Sequence, residues 1–250
     1  MTERQPLVVV MEDVHKAYGE KAVLRGVSLQ ARRGETVAIL GGSGSGKSVL
    51  LKHLNGLIRP DRGRIAVLGC DVAQLPEGDL VELRRRVSYI FQGAALFDSL
   101  SVGENIAFPM VEHRVGDARQ IEDRVAELLE SVGLSGAERL MPAELSGGMK
   151  KRIALARGLA LEPELVLYDE PTAGLDPLTG QAIAELIATV AAAAGVTSLV
   201  VTHDLALARA LGGRVAFLRD GVIEFLGPLQ DAAGAPGVLG EFVRAGGVHA

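Results

Sequence analysis

The chain has 250 residues, of which 48% are hydrophobic and 23% are charged, and its formal net charge is −5. This composition is typical of a globular protein with a sizeable core, and it excludes a disordered chain. The acidic balance gives no reason to expect nucleic-acid binding. The single cysteine, Cys70, excludes an internal disulfide and fits a reducing compartment. No signal peptide is predicted at the amino terminus.

Strands and helices follow one another in three stretches of the chain. The first third predicts short strands separated by turns, at Leu7–Val10, Ser28–Ala31, Thr36–Leu40 and Gly63–Leu68. From about Leu96 to Ala160 the apolar spacing is mainly helical, with one amphipathic helix ending at Gly133. Strands are then predicted at Leu165–Tyr168, Ser198–Thr202 and Val215–Leu218, with a helix after Pro177 and a hairpin turn at Asp220-Gly221. This alternation predicts an α/β core with a mainly parallel sheet and a helical insertion.

One uncharged stretch, from Leu186 to Val201, has the apolar character of a membrane span. Gly195 divides it into an alanine-rich half and a half rich in β-branched residues. Each half is shorter than the ~20 residues that a spanning helix needs. We therefore predict a buried helix followed by a strand, and a soluble chain.

A glycine-rich segment after the strand at Thr36–Leu40 fits the pattern G-x-x-x-x-G-K-[ST]. Its residues are Gly41, Gly42, Ser43, Gly44, Ser45, Gly46, Lys47 and Ser48, and a helix is predicted from Val49 to Asn55. Glycines let main-chain N–H groups turn toward phosphate oxygens at the positive end of the following helix. Lys47 adds a charge for the β- and γ-phosphates, and the Ser48 hydroxyl is placed for Mg²⁺. The segment predicts binding of a nucleoside triphosphate.

Two carboxylates end the apolar strand at Leu165–Tyr168. A buried strand with acids only at its carboxyl end suits a metal site beside the phosphate-binding segment. Asp169 would hold Mg²⁺, directly or through water, and Glu170 would act as the general base that polarises the attacking water.

A second anion site is predicted about a hundred residues after the first. Ser146, Gly147 and Gly148 open a helix, and a serine followed by glycines at a helix amino terminus offers free N–H groups to phosphate. An ordinary capped helix start is the simpler interpretation of this segment taken alone.

The ordered set of motifs resembles the ATPase subunits of ABC transporters, from about Leu7 to Leu226. The residues that carry the resemblance are Tyr18, Gly41–Ser48, Gln92, Ser146–Met149, Asp169-Glu170, Gly174–Asp176 and His203. The resemblance implies the ABC ATPase fold: a phosphate-binding-loop α/β core with a mainly parallel sheet, an N-terminal antiparallel β subdomain and a helical insertion. We expect one ATPase domain over 1–250, with its core in 1–92 and 162–235, the insertion at about 93–161 and a short tail at 236–250 that holds one short helix, Val238–Arg244.

The resemblance also implies a homodimer with two ATP molecules in its interface. Each ATP would touch the glycine-rich segment of one subunit and Ser146, Gly147 and Gly148 of the other. Glu170 and His203 would be catalytic, with His203 at the γ-phosphate; Tyr18 would stack on adenine, Gln92 would sense Mg²⁺ and Asp176 would cross the interface. The implied nucleotide-binding residues are Tyr18, Gly41, Gly42, Ser43, Gly44, Ser45, Gly46, Lys47, Ser48, Val49, Gln92, Ser146, Gly147, Gly148 and Asp176. The implied Mg²⁺ residues are Ser48, Gln92 and Asp169.

Four short features narrow the resemblance to the Mla/Mkl-type subclass: Met149, where most family members have glutamine, Gly93–Phe97, Leu140–Leu145 and Asn105–Pro109. That subclass implies phospholipid or other hydrophobic-substrate traffic with an integral-membrane permease and an Mce-type lipid-binding protein, at the cytoplasmic face of the inner membrane. The apolar stretch Ala94–Leu100 either docks the permease or packs in the core, and the sequence leaves both open.

Other interpretations stay open at this point. The same ATPase would serve an amino-acid or small-solute importer. A soluble ABC-fold ATPase that acts on DNA or ribosomes usually has coiled-coil arms or a second fused unit, which this chain lacks. The basic runs Arg84–Arg86 and Lys150–Arg152 are interpreted as solvated helix faces or phosphate-side charge. A kinase or GTPase with the same phosphate-binding loop would leave the Ser146 motif and His203 unexplained.

Overall fold

The structure, a computed structural model, describes residues 5–232 and residue 240. The strands are β1 Leu7–Tyr18, β2 Lys21–Arg32, β3 Thr36–Leu40, β4 Arg62–Val67, β5 Cys70–Asp71, β6 Val87–Ile90, β7 Leu165–Asp169, β8 Thr197–Thr202, β9 Arg214–Arg219 and β10 Val222–Pro228. The helices are α1 Lys47–Leu54, α2 Glu77–Arg86, α3 Val102–Glu112, α4 Ala118–Ser131, α5 Gly147–Gly158, α6 Pro177–Ala194, α7 Leu205–Leu211 and α8 Leu229–Ala232, with a 3₁₀ turn at Pro142–Glu144. The predicted tail helix, Val238–Arg244, lies outside the described residues apart from Gly240.

Two sheets form the framework of the chain. The larger sheet has the order β10-β9-β3-β8-β7-β6, in which every neighbouring pair is parallel except the β9–β10 hairpin. The smaller sheet has the order β2-β1-β4-β5 and is antiparallel throughout. This arrangement confirms the predicted α/β fold with a mainly parallel sheet, an antiparallel β subdomain and a helical segment.

The buried apolar residues lie on both faces of the larger sheet. On one face, side chains of β3, β7 and β8 pack with α1 and the smaller sheet. On the other face, residues of β6, β7 and β8 pack with α3, α4, α5 and α6. Since β3, β7 and β8 are parallel, their carboxyl ends meet at one edge of the sheet. The segments that follow these three strands are therefore brought together in space.

Helices α3, α4 and α5 form the helical segment between β6 and β7. Capping boxes fix the starts of α3 and α4: Ser101 pairs with Glu104, and Asp117 pairs with Gln120. The buried face of α4 carries Val125, Leu128 and Leu129, as its apolar spacing predicts. The helix ends at Ser131 with Val132 as its C-cap, just before the predicted stop at Gly133.

Helix α6 is the one helix among the described residues with the length and apolar character of a membrane span, and 28% of that window is buried. It ends at Gly195, whose φ of 61° suits a glycine, and β8 begins two residues later. It joins the neighbouring parallel strands β7 and β8 and packs against α5 and α7. The predicted helix followed by a strand is confirmed, but only β8 is buried along its length, whereas α6 buries one face.

Strands β1 and β2 are longer than the sequence predicts, with 12 residues each instead of the four-residue apolar runs. Beyond these runs, buried residues such as Val14 and Leu24 are interspersed with exposed polar residues, which gives a weaker strand signal. The pairing also shifts register between Met11 and Val14, where Asp13 has a φ of 50°. Pairing with neighbouring strands extends both strands beyond the predicted runs.

Histidine 53 on α1 is fully buried, and we expect it to make stability depend on pH. Its Nδ1 donates to the Val49 carbonyl at 2.6 Å, and its Nε2 has no partner among the described residues. Burial lowers the pKa of His53, and the nearby Lys16 adds to this effect, whereas Asp61 and the Val49 carbonyl oppose it. The unfolded chain therefore takes up the proton first, so this contribution is complete above about pH 6.5 and is lost as the pH falls below it.

The measurement is the free energy of unfolding from pH 7.5 to pH 5. His53 is expected to contribute a slope of at most about 1.4 kcal/mol per pH unit below pH 6.5. His53→Phe should remove this contribution, whatever its effect on stability at neutral pH. An unchanged slope in that variant would contradict the assignment.

Candidate nucleotide-binding site

The segments after β3, β6, β7 and β8, together with the end of β1, surround one cavity of about 750 Å³. Its lining contains the sequence-predicted residues Tyr18, Gly41, Gly42, Ser43, Gly44, Gly46, Lys47, Ser48, Val49, Gln92, Glu170 and His203. Ser45 instead lines a neighbouring cavity of about 440 Å³, which shares Gly42, Ser43 and Gly44 with the first. The structure thus gathers residues from five strand ends around one space of nucleotide size.

The glycine-rich loop turns tightly between β3 and α1. Gly46 is the N-cap of α1 with a φ of 103°, a conformation that favours glycine. A Cβ on Gly41 would lie 2.3 Å from the Leu218 carbonyl oxygen, so the loop packs directly against β9. Glycine at these two positions is required by backbone conformation and by close approach. The loop therefore presents main-chain N–H groups at the start of a helix, which suits phosphate.

Lys47 is buried at the centre of this loop. Its Nζ donates to the carbonyl oxygens of Gly41 at 2.8 Å and Gly42 at 3.0 Å, and it lies 3.3 Å from Glu170 Oε1. The ammonium group is thus held within reach of both the loop and the acid that follows β7.

Ser48 and Asp169 place two oxygen atoms side by side. The Ser48 hydroxyl donates to Asp169 Oδ1 at 2.7 Å, and the Tyr89 hydroxyl donates to Asp169 Oδ2 at 2.7 Å. Burial and the Asp169 carboxylate both raise the pKa of Tyr89. The described part of the chain has no group of three or more His, Cys, Asp or Glu side chains that could hold a metal ion by themselves. One hydroxyl and one carboxylate suit Mg²⁺, which takes few protein ligands and completes its shell with phosphate and water.

Glu170 follows β7 in a left-handed conformation, with a φ of 48°. Its main-chain N–H donates to the Val201 carbonyl of β8 at 3.0 Å. Its Oε2 accepts from the His203 main-chain N–H at 3.3 Å and lies 2.9 Å from His203 Nδ1. A left-handed non-glycine residue costs about 1–3 kcal/mol and occurs preferentially at functional sites. Its carboxylate is buried and aimed into the cavity.

The predicted second anion site lies apart from this cavity. Ser146 is the N-cap of α5 and accepts from the Met149 N–H at 3.2 Å. Asp176 is the N-cap of α6 and accepts from the Thr179 N–H at 3.0 Å. A Cβ on Gly148 would lie 2.6 Å from Thr179 Cγ2, so the two helix starts are in contact. Ser146, Gly147, Gly148 and Asp176 are thus near one another but do not line the cavity.

Tyr18, at the end of β1, and Gln92, after β6, both line the cavity. The Tyr18 side chain is 50% exposed, and Lys16 Nζ lies 5.6 Å from its ring centroid. An exposed ring at a cavity edge is available for stacking on a base. Gln92 follows β6, and its carbonyl oxygen accepts a hydrogen bond from Lys151 of α5.

Three residues that contact the site or its surroundings are not predicted as site residues from the sequence, although Lys151 belongs to a basic run interpreted as helix-face or phosphate-side charge. Tyr89 bonds Asp169, Lys151 bonds the Gln92 carbonyl, and Arg157 donates to the carbonyls of Ala94 and Ala95, both at 2.8 Å. Ala94 and Ala95 have φ values of 63° and 51°. For Tyr89 and Arg157, the only hint in the sequence is their position in a strand before Gln92 or in a helix after Ser146.

The stretch Ala94–Leu100 is both core and surface. Ala94 is buried and Leu96 packs against the helical core, whereas Phe97 is 43% exposed. The Phe97 ring lies 4.6 Å from Phe108, and with Phe91 they line a cavity of about 500 Å³. Core packing therefore holds for Ala94 and Leu96, whereas docking of a permease at the exposed residues of the stretch stays a prediction.

The arginines of the two basic runs make more hydrogen bonds and ion pairs than solvated helix faces would. Arg84 donates to the carbonyls of Asn55 and Gly56 at the end of α1, and Arg86 pairs with Glu164 at 2.7 Å. Arg152 donates to the Val132 carbonyl at 2.9 Å. These guanidinium groups have buried or partly buried partners, so their role is in large part structural.

The fold and the cavity define a nucleotide-binding ATPase of the phosphate-binding-loop class. Residues 24–173 match the family described as ABC transporter. The chain belongs to this family and is an ABC-type ATPase, the ATP-binding subunit of a transporter.

Three relatives illustrate the range of the family. The chain is 42% identical to Protein TRIGALACTOSYLDIACYLGLYCEROL 3, chloroplastic, of Arabidopsis thaliana, over 88% of this chain and 68% of that protein. It is 43% identical to methionine import ATP-binding protein MetN of Brucella abortus, over 89% of this chain and 60% of that protein. It is 43% identical to intermembrane phospholipid transport system ATP-binding protein MlaF of Escherichia coli, over 79% of this chain and 74% of that protein. The alignments thus span between 60% and 74% of the relatives' own lengths.

A solved structure shares the fold. A dimeric ATP-binding cassette in a post-hydrolysis state, bound to ADP and phosphate, superposes with a TM-score of 0.80 at 34% identity. The match covers 88% of this chain and 98% of that chain.

Proposed function

We propose that this chain is the ATPase of a transporter for phospholipid or another hydrophobic substrate, and that it works as a homodimer. The observation that supports a dimer is the separation of two helix starts that suit phosphate. The start of α1 lines the cavity, and the start of α5, at Ser146–Gly148, lies outside it. A head-to-tail pair would place Ser146–Gly148 of one subunit over the cavity of the other. The dimeric cassette with 34% identity supports this arrangement.

Within that dimer, the residues of the cavity have separate tasks. Tyr18 stacks on adenine, the loop Gly41–Val49 binds the phosphates, and Lys47 contributes charge at the β- and γ-phosphates. Glu170 acts as general base on the attacking water, and His203, which lies 2.9 Å from its carboxylate, contacts the γ-phosphate. Asp176 stands beside the second phosphate-binding helix end, where it would meet the partner subunit.

Magnesium is the metal that these residues fit. Ser48 and Asp169 would hold it, and the Gln92 side chain would contact it from the loop after β6. Bound Mg²⁺ neutralises phosphate charge. Tyr89 keeps the Asp169 carboxylate oriented through its hydrogen bond.

The surface formed by Phe91, Phe97 and Phe108 is proposed to dock an integral-membrane permease. Its aromatic side chains are 39–43% exposed. The surface is continuous with Gln92, so the docking loop and the nucleotide site belong to one segment of chain. Docking there would place the ATPase peripherally at the cytoplasmic face of the inner membrane.

Lipid as the transported substrate is supported by the four subclass features, Met149 included, and by 43% identity to MlaF. An Mce-type lipid-binding protein is the partner that this subclass implies. The second candidate, an amino-acid importer, is favoured by the equal identity of 43% to MetN. The two candidates share the ATPase and differ in the permease and the binding protein.

The test is purification of the native complex in mild detergent, with mass spectrometry of its proteins and lipids. The expected result is a permease, an Mce-type protein and phospholipid enriched over a mock purification from cells without the tagged chain. A permease with a small-solute binding protein and no lipid enrichment would replace the lipid proposal by the importer. Recovery of the ATPase without any membrane protein would contradict both.

A further inference from the structure

Helix α5 carries a lysine that contacts the main chain of two residues that line the nucleotide cavity. Lys151 Nζ donates to the carbonyl oxygen of Gln92 and lies 3.5 Å from the carbonyl oxygen of Glu170. Gln92 follows β6 and Glu170 follows β7, which are neighbours in the sheet. An ammonium group has three donors and no acceptor, so one lysine is able to serve both carbonyls.

The Glu170 main chain needs this kind of support. Its φ of 48° is unfavourable for a residue with a side chain, and such a conformation persists only where its surroundings hold it. The Glu170 N–H donates to the Val201 carbonyl at 3.0 Å, and the Glu170 carbonyl accepts from the Ala173 N–H at 3.1 Å. Lys151 adds a positive charge on the side that faces Gln92.

Lys151 is also in a costly environment for a charge. Burial lowers the pKa of its ammonium group, and the carboxylates of Glu170 and Asp169 oppose that fall. A partly buried charge is tolerated where it has partners. Its neighbour Lys150 is similarly half-buried, yet its side chain makes no hydrogen bond or ion pair with the described residues. The two adjacent lysines of α5 thus provide a test residue and its matched control.

We propose that Lys151 is a positioning residue for ATP hydrolysis, whose ammonium group holds the main chain of Gln92 and of Glu170 at a fixed separation. The Gln92 side chain and the Glu170 carboxylate then reach the same phosphate and its metal ion together. This inference rests on the roles proposed for those two residues. Lys151 does not line the cavity and acts only through its two partners.

Lys151→Met removes the donors while keeping a side chain of similar length. The expected result is a fall in kcat of about tenfold or more, because the variant lacks the hydrogen bond from a charged donor that positions Gln92 and Glu170. KM for ATP should stay within about twofold, because the phosphate-binding loop and Lys47 are unchanged. The Mg²⁺ concentration for half-maximal activity should rise, and Lys151→Arg, which restores a charged donor, should recover most of kcat.

Lys150→Met is the matched control and should leave kcat within about twofold of the wild type, which would tie the effect to the Lys151 contacts. Wild-type kcat in Lys151→Met, or failure of Lys151→Arg to restore it while both variants unfold like the wild type, would overturn the inference. Glu170→Gln, assayed in parallel, separates the two proposals. Full activity in Glu170→Gln would remove the proposed site itself, whereas loss of activity there with an unaffected Lys151→Met would remove only the role of Lys151.

Discussion

Replacing Glu170 by Gln is expected to lower kcat for ATP hydrolysis by about 10²–10⁴-fold, the range for loss of a general base. The amide keeps the shape of the side chain and can still accept from the His203 N–H, which bonds Glu170 Oε2 at 3.3 Å. It cannot take a proton from water. ATP binding should therefore persist, and the variant should accumulate as a dimer closed around ATP.

The measurements are steady-state phosphate release, ATP affinity by calorimetry and size-exclusion chromatography with and without Mg²⁺-ATP. Glu185→Gln is the matched control, because Glu185 is an exposed carboxyl on α6 that bonds only to its helix neighbours. It should behave as the wild type. Turnover by Glu170→Gln within a few-fold of the wild type would remove Glu170 from the base role.

Lys47→Ala should weaken ATP binding by about 100-fold, equivalent to ~3 kcal/mol, because a buried charge that faces phosphate is lost. Lys47 Nζ lies within 3.3 Å of Glu170 Oε1 and bonds two loop carbonyls, so its loss also leaves an acid without its partner. The effect should fall on affinity, in contrast to the effect of Glu170→Gln on turnover.

Calorimetric titration with ATP measures this difference. Lys52→Ala removes a lysine from the last turn of the same helix, away from the cavity, and should bind ATP like the wild type. Unchanged affinity in Lys47→Ala would contradict its assignment to the phosphates. A melting curve for each variant shows whether the fold is kept.

Much of the fold follows from local sequence patterns. The loop Gly41–Ser48, the acids after β7 and the hairpin at Asp220-Gly221 have signals that a few adjacent residues determine. Parallel strands then bring the loop, the acids and His203 to one sheet edge, which is why short motifs far apart in sequence line one cavity. The roles of these residues remain predictions.

The contacts that escape sequence analysis are made between elements. Lys151 and Arg157 lie in an ordinary helical pattern, yet they hold the carbonyls of Gln92, Ala94 and Ala95. No local rule predicts two successive left-handed alanines, since isolated residues avoid that conformation. The length of β1 likewise depends on its pairing partners.

The proposed division of the phosphate contacts between the cavity and the separate helix start at Ser146 has a genetic consequence. If two copies of the chain complete each site together, a defective copy affects its partner as well. In a cell that makes wild-type and Glu170→Gln chains in equal amounts, random pairing leaves about a quarter of the dimers fully wild type. A single altered gene copy would then act as a dominant inhibitor of transport, and more strongly than simple loss of half the protein.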